Sequence, residues 1–148
     1  MFEISTTSSK KTKEAARSLV EKVLKKPAGN SALIIALTGD LGAGKTTFVQ
    51  GFCKGIGVKK RITSPTFVLV KSYKLKTKSY DKIYHIDCYR LTSEELAALN
   101  FQEIINNPQN IILIEWAEKI KKILPKKNAI WLKFDYGEKE NERNITLR

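Results

Sequence analysis

The sequence predicts an α/β fold of three layers around a mixed sheet, partly parallel at its centre and antiparallel at its hairpins. Two continuously apolar segments of strand length, Ala32 to Leu37 and Ile111 to Ile114, carry the first part of that expectation. Apolar runs of this kind suit strands covered on both faces, as in parallel sheets. Helix-period segments separate them, and short alternating runs at both ends supply the antiparallel partners.

Taken in order, Phe2, Ile4 and Thr6 alternate as a short first strand does, and Thr7-Ser8-Ser9 offers capping hydroxyls for a following helix. Ala15, Ala16, Leu19, Val20, Val23 and Leu24 recur at helical spacing, with Lys13, Arg17, Glu21 and Lys25 turned mainly outward. Pro27-Ala28-Gly29-Asn30 ends that amphipathic helix. The buried strand from Ala32 then runs into a glycine-rich turn and a second helix with the stripe Phe48, Val49, Phe52, Cys53 and Ile56, closed by Gly55 and Gly57.

Beyond the loop Thr63-Ser64-Pro65-Thr66, Phe67 to Tyr73 and Ile83 to Tyr89 are expected to pair as a hairpin around a lysine-rich turn. Thr92-Ser93-Glu94-Glu95 is a capping box for a short helix reaching Leu99. The second buried strand follows, then a helix that stops before Pro125. Alternation at Ile130, Leu132 and Phe134, a loop holding Gly137, and Ile145 with Leu147 complete the sheet.

At 148 residues the chain has the length of one domain, and residues 1–148 are read as such. No stretch reaches the roughly 18 consecutive apolar residues of a membrane span, and the polar start from Met1 to Lys11 has no export-signal core. A cytoplasmic protein with no membrane partner is the expectation. Cys53 and Cys88 stand apart, without metal-site spacing, and are read as core thiols. The formal charge of +12 favours contact with an anionic partner without naming it.

The chemistry concentrates in Gly39-Asp40-Leu41-Gly42-Ala43-Gly44-Lys45-Thr46, which satisfies the phosphate-loop pattern of Gly, four residues, Gly, Lys and Ser or Thr. Glycines let successive N–H groups turn inward on phosphate oxygens, and the helix that follows points its positive end at the same anion. Lys45 is expected to reach the β and γ phosphates, and the Thr46 hydroxyl to bind magnesium. The ligands implied are ATP or ADP with Mg²⁺. Such a metal needs an acidic group at a neighbouring strand end, which Glu115 supplies at the close of Ile111-Ile112-Leu113-Ile114.

Strand alternation places His85, Asp87 and Tyr89 on one face. Asp87 is the candidate to orient the attacking water or to stand in the outer metal shell, with Arg90 as an alternative salt-bridge partner for it. A lone histidine is more often structural, and His85 is read mainly so. Thr66 is either a γ-phosphate sensor or a plain strand-start residue.

Together these segments make the chain resemble the bacterial ATPase of tRNA threonylcarbamoyladenosine biosynthesis, the TsaE (formerly YjeE) family. The resemblance rests on Thr12, Gly39 to Thr47 with Phe48, Ser64-Pro65-Thr66-Phe67, His85 to Arg90, and Glu115-Trp116 in this order. It implies a P-loop NTPase-like fold and an ATPase that is weak alone and works with a threonylcarbamoyl transferase and its inactive paralogue. By position it also implies that Gly42, Ala43, Gly44, Lys45, Thr46 and Thr47 hold the nucleotide and that Thr46 and Glu115 bind magnesium. Asp87 would assist hydrolysis, Trp116 would lie near the nucleotide, and Thr12 would approach it. Ala117 stands where the family usually has proline, and Asn100 near a position that is commonly glycine.

Two other functions compete: a small-molecule P-loop kinase and a basic RNA-binding module. The arginine-rich lid expected of the first is missing from the sequence, as are zinc, RRM and KH signatures of the second. The lysine-dense stretches Lys71 to Lys82 and Lys119 to Lys127 hold few aromatics, so any tRNA contact is expected to be indirect or weak, salt-sensitive and indifferent to sequence.

Overall fold

A computed structural model describes residues 2–63 and 70–148. Strands β1 (Phe2–Thr6), β2 (Leu33–Gly39), β3 (Val70–Lys74), β4 (Lys82–Asp87), β5 (Asn110–Glu115), β6 (Ala129–Tyr136) and β7 (Arg143–Leu147) form one sheet in the order β1-β7-β6-β2-β5-β4-β3. The pairs β6–β2, β2–β5 and β5–β4 are parallel; β1–β7, β7–β6 and β4–β3 are antiparallel. Helices α1 (Ser9–Lys25) and α2 (Lys45–Gly55) cover one face. Helices α3 (Ser93–Ala98) and α4 (Phe101–Asn106), with a 3₁₀ helix over Ala117–Ile123, cover the other. The mixed three-layer α/β architecture is the one the sequence predicts.

Strand β2 shows why a continuous apolar run is needed at the centre. Ile35 and Leu37 join the core beneath α1 and α2, together with Val20, Phe52 and Leu113. Ile34 and Ala36 join the opposite core with Ile112, Ile114, Leu96 and Phe101. Each residue of the run is buried, because successive side chains enter different layers.

The caps act as the sequence indicates. Ser8 accepts from the Lys11 N–H at 3.1 Å, and Thr92 accepts from the Glu95 N–H at 3.2 Å. Helices α1 and α2 pack closely through glycine. A Cβ on Gly51 would stand 2.6 Å from Lys13 Cα, and one on Gly55 would stand 3.0 Å from Arg17 Cγ. The first leaves no room for a side chain on α2 without moving the α1 backbone, and the second requires the Arg17 side chain to give way.

Three local expectations are revised. Strand β4 ends at Asp87, so Tyr89 lies in the turn beyond it and does not share the strand face of His85 and Asp87. The segment after β5 is a 3₁₀ helix, in keeping with the burial of Ala117 and Ile120 at a spacing of three and a break in helical backbone at Ile120. Helix α4 carries no capping side chain to announce it; its N-cap Asn100 has φ 56° and buries Phe101 and Ile105 behind it. Within the expected strand Phe67 to Tyr73, the described part is Val70–Lys74; Ser64, Pro65, Thr66 and Phe67 lie outside the described residues.

Candidate nucleotide site

The site forms where the parallel strands end. Strand β2 delivers the loop 40–44 directly into α2, and Gly39 closes β2 at φ 133°, where a Cβ would collide with the Phe134 carbonyl of β6. Gly42 and Gly44 also take positive φ, 78° and 103°, which curls the loop back over the helix start. In the register between β4 and β5, Asp87 stands opposite Glu115, so the two carboxylates reach the same level beside this loop.

Lys45 folds back across the loop. Its ammonium donates to the carbonyls of Gly39 and, at 2.9 Å, Asp40, and lies 4.2 Å from the centroid of the Trp116 ring. Burial lowers its pKa, and the carboxylates of Glu115, Glu118, Asp40 and Asp87 oppose that shift. Thr46 Oγ1 donates to Glu115 Oε1 at 2.7 Å. Glu115 Oε2 accepts from His85 Nε2 at 2.5 Å, so both oxygens of this buried carboxylate are engaged. A carboxylate only accepts, which places the proton of the pair on Nε2; His85 Nδ1 finds no partner among the described residues.

Asp87 has a different setting. Its Oδ1 accepts from the Tyr89 N–H at 2.9 Å, and burial raises its pKa, with Glu115 adding to the shift while the Tyr89 N–H, His85 and Lys45 oppose it. Arg90 is exposed and pairs with no carboxylate among the described residues, so the Tyr89 backbone takes the place considered for it.

Leu41, Gly42, Gly44, Lys45, Thr46, Thr47, Asp87, Glu115 and Trp116 enclose a cleft of about 170 Å³. Nearly every residue singled out in the sequence lines it. Ala43 is buried beneath the loop, and Thr12 lies behind it, its hydroxyl bonded to Thr6 Oγ1 at 2.8 Å and to the Ser8 carbonyl at 3.2 Å. Thr12 reaches the site only as a methyl group, 4.0 Å from where a Gly44 Cβ would be. A volume below about 300 Å³ fits the phosphate end of a nucleotide and leaves base and ribose outside.

The donors suit a small hard cation. Hydroxyl and carboxylate oxygens are the ligands magnesium prefers, and it characteristically takes only one or two carboxylates, completing its shell with phosphate and water. No cluster of three acidic, histidine or cysteine groups exists among the described residues, so magnesium here would depend on Thr46, Glu115 and the phosphates themselves.

The family described as "Threonylcarbamoyl adenosine biosynthesis protein TsaE" matches residues 6–145. The chain belongs to the TsaE family. The tRNA threonylcarbamoyladenosine biosynthesis protein TsaE of Haemophilus influenzae is 41% identical over 127 residues, 85% of this chain and 76% of that protein. The protein of the same name from Bacillus subtilis is 36% identical over 113 residues, 76% of this chain and 68% of its own length. The match to the TsaE of a Nostoc strain, 44% identical, spans 59% of this chain and about half, 54%, of that relative. The crystal structure of Bacillus subtilis YdiB superposes with a TM-score of 0.74 at 28% identity, over 99% of this chain and 83% of that one. It shares the P-loop NTPase-like fold.

One departure from the usual TsaE pattern now has a reason. Asn100 occupies the left-handed region, where asparagine is the best tolerated residue after glycine. Trp116 is left-handed too, at φ 58°, and this sharp turn folds its ring back over Lys45.

Sequence reasoning missed Tyr136 and Arg143, whereas the bond of His85 to Glu115 accords with its mainly structural reading. The Tyr136 hydroxyl donates to the Leu41 carbonyl, Arg143 Nε reaches the Gly42 carbonyl at 3.4 Å, and the Arg143 guanidinium lies 4.7 Å from the Tyr136 ring centroid. These side chains brace the phosphate loop from the β6–β7 hairpin. His85 was detectable in principle, because a parallel partner for a strand ending in Glu115 puts a residue of its own beside that carboxylate. Tyr136 and Arg143 left no signal, since their roles depend on how the hairpin lies against the loop.

Proposed function

We propose that this chain is a magnesium-dependent P-loop ATPase, residues 1–148 acting as one cytoplasmic domain. Its ATP turnover supports formation of N6-threonylcarbamoyladenosine in tRNA, together with a threonylcarbamoyl transferase and its inactive paralogue. The role in tRNA threonylcarbamoyladenosine biosynthesis follows the names of its relatives. The observation that carries the chemistry is the 2.7 Å bond between Thr46 and Glu115 at the mouth of the loop. It sets a hydroxyl and a carboxylate side by side where the phosphate loop ends, which is the pair a nucleotide-bound magnesium requires.

In this reading the backbone N–H groups of Gly42, Ala43 and Gly44 cradle phosphate oxygens, and Lys45 exchanges the carbonyls of Gly39 and Asp40 for the β and γ phosphates. Thr46 and Glu115 hold magnesium, which when bound neutralises charge on the phosphates. Asp87, on the same cleft wall, orients the attacking water. Thr47 lines the cleft beside Thr46, Trp116 shields Lys45 from solvent, and Thr12 supports Gly44 from behind.

Lys45→Ala and Thr46→Ala test the assignment. Each is expected to stay folded and to lose magnesium-dependent ATP binding or turnover, since one charge-assisted phosphate contact is worth about 1.5–3 kcal/mol, roughly 10- to 150-fold. Near-normal ATP turnover by both variants, measured with and without the partner proteins, would refute it.

A further inference from the structure

We propose that the basic hollow where α1 meets the end of α2 docks the phosphodiester backbone of tRNA. The hollow has a volume of about 770 Å³ and is lined by Lys13, Arg17, Lys54, Lys59, Lys60 and Arg61. Among its described lining residues there is no carboxylate and no aromatic ring. None of them lines the nucleotide cleft, and the two sites lie near opposite ends of α2, whose 11 residues span about 16 Å.

The hollow is built by the fold. Gly51 and Gly55 let α1 press against α2, bringing the Lys13 and Arg17 stems to its edge. The segment after α2 is pinned by three bonds: Gly57 N to the Lys54 carbonyl at 3.2 Å, Val58 N to the Cys53 carbonyl at 2.9 Å, and Gln50 Nε2 to the Ile62 carbonyl at 3.0 Å. Lys59, Lys60 and Arg61 therefore project from an anchored turn, and all three are exposed. The charge-rich stretches legible in the sequence lie elsewhere; this cluster brings α1 together with the end of α2 and the turn that follows it.

Its composition decides the partner. Protein interfaces are depleted in lysine and enriched in aromatics, whereas this surface is rich in lysine with no ring among its described lining residues. A polyanion with evenly spaced charges and no need of stacking is the ligand that fits: a nucleic-acid backbone, held without reading of bases. That the backbone belongs to tRNA rests on the proposed function; the affinity for phosphodiester does not.

The test is binding of labelled tRNA by fluorescence anisotropy across a range of salt. Lys59→Glu/Lys60→Glu is compared with a control of equal charge change at the end of β3 and the turn after it, Lys74→Glu/Lys76→Glu, and Arg17→Glu, on a different element, with Lys76→Glu alone. At 0.1 M salt each lost phosphate contact is expected to weaken binding about eightfold and to flatten the salt slope by about 0.9. The control should lose far less, and all variants should keep wild-type melting temperature and ATP-analogue affinity. Equal losses in hollow and control variants would overturn the proposal. So would displacement of tRNA by polyglutamate at equal charge concentration, or tighter binding of a DNA duplex than of tRNA. Wild-type protein that binds magnesium-ATP but no tRNA sinks this inference alone; protein that binds tRNA but no nucleotide sinks the ATPase reading instead.

Discussion

Replacing His85 with phenylalanine removes the donor that holds Glu115 while keeping a ring of similar size in a site with no solvent exposure. A hydrogen bond to a charged group is worth about 1.5–3 kcal/mol, and the carboxylate oxygen it served stays buried. At about 2–4 °C per kcal/mol for a chain near this length, the melting temperature should fall by about 3–12 °C. The second effect concerns the metal. Glu115 would keep only Thr46 to orient it, and loss of a partner that positions a metal-binding carboxylate costs roughly 10- to 100-fold in metal affinity. Thermal unfolding without ligand, then a magnesium titration at fixed concentration of an ATP analogue, reads the two separately. His85→Gln, which retains a donor of similar reach on a more flexible side chain, should recover part of both. An unchanged melting temperature together with an unchanged magnesium midpoint in His85→Phe would refute the reasoning.

Asp87→Asn should raise the melting temperature of the nucleotide-free protein at neutral pH. Burial holds the Asp87 pKa above the ordinary aspartate value of 3.8, so its favourable contribution is complete below 3.8 and is lost as pH rises through the folded value. The advantage of asparagine should therefore shrink as pH falls toward 3.8, and ATP hydrolysis should drop more than ATP affinity; the reverse pH trend would count against the assignment. Gly51→Ala should cost about 1–3 kcal/mol in denaturant unfolding, because its methyl group meets the Lys13 backbone at 2.6 Å, outweighing the roughly 1 kcal/mol gained in helix propensity. Tyr136→Phe removes the bond to the Leu41 carbonyl, worth about 0.5–1.5 kcal/mol, and calorimetry with an ATP analogue should show about two- to twelvefold weaker binding with the fold unchanged.

Much of the fold was legible because its central strands must be apolar on both faces and its helices on one. The run Ala32 to Leu37 and the stripe Phe48, Val49, Phe52, Cys53 announce both periodicities without help from the tertiary structure. The loop pattern was legible for a related reason: glycines that let the backbone curl at positive φ are a local feature of the sequence. Other features depend on contacts between distant segments. The bond from His85 to Glu115 exists because β4 and β5 pair in parallel, and the brace from Tyr136 and Arg143 because the β6–β7 hairpin leans on the loop. Helix α4 was silent because Asn100 caps it through backbone conformation and not through a side chain. The 3₁₀ helix differs from an α-helix by one residue in its hydrogen-bond step, too little for a short apolar pattern to register.

The place of β2 in the sheet has a consequence for the growing chain. Both its neighbours come much later in the sequence, Leu33 pairing with Ile111 and Ile34 with Ala129. While synthesis proceeds from the N-terminus, the loop emerges well before Glu115 exists to meet Thr46, or Phe134 to shelter Gly39. A nucleotide held as proposed would therefore stabilise only a chain that has already closed its parallel centre. Pairings this remote are slow to find, and a polypeptide stalled before residue 110 carries an apolar strand with both edges open.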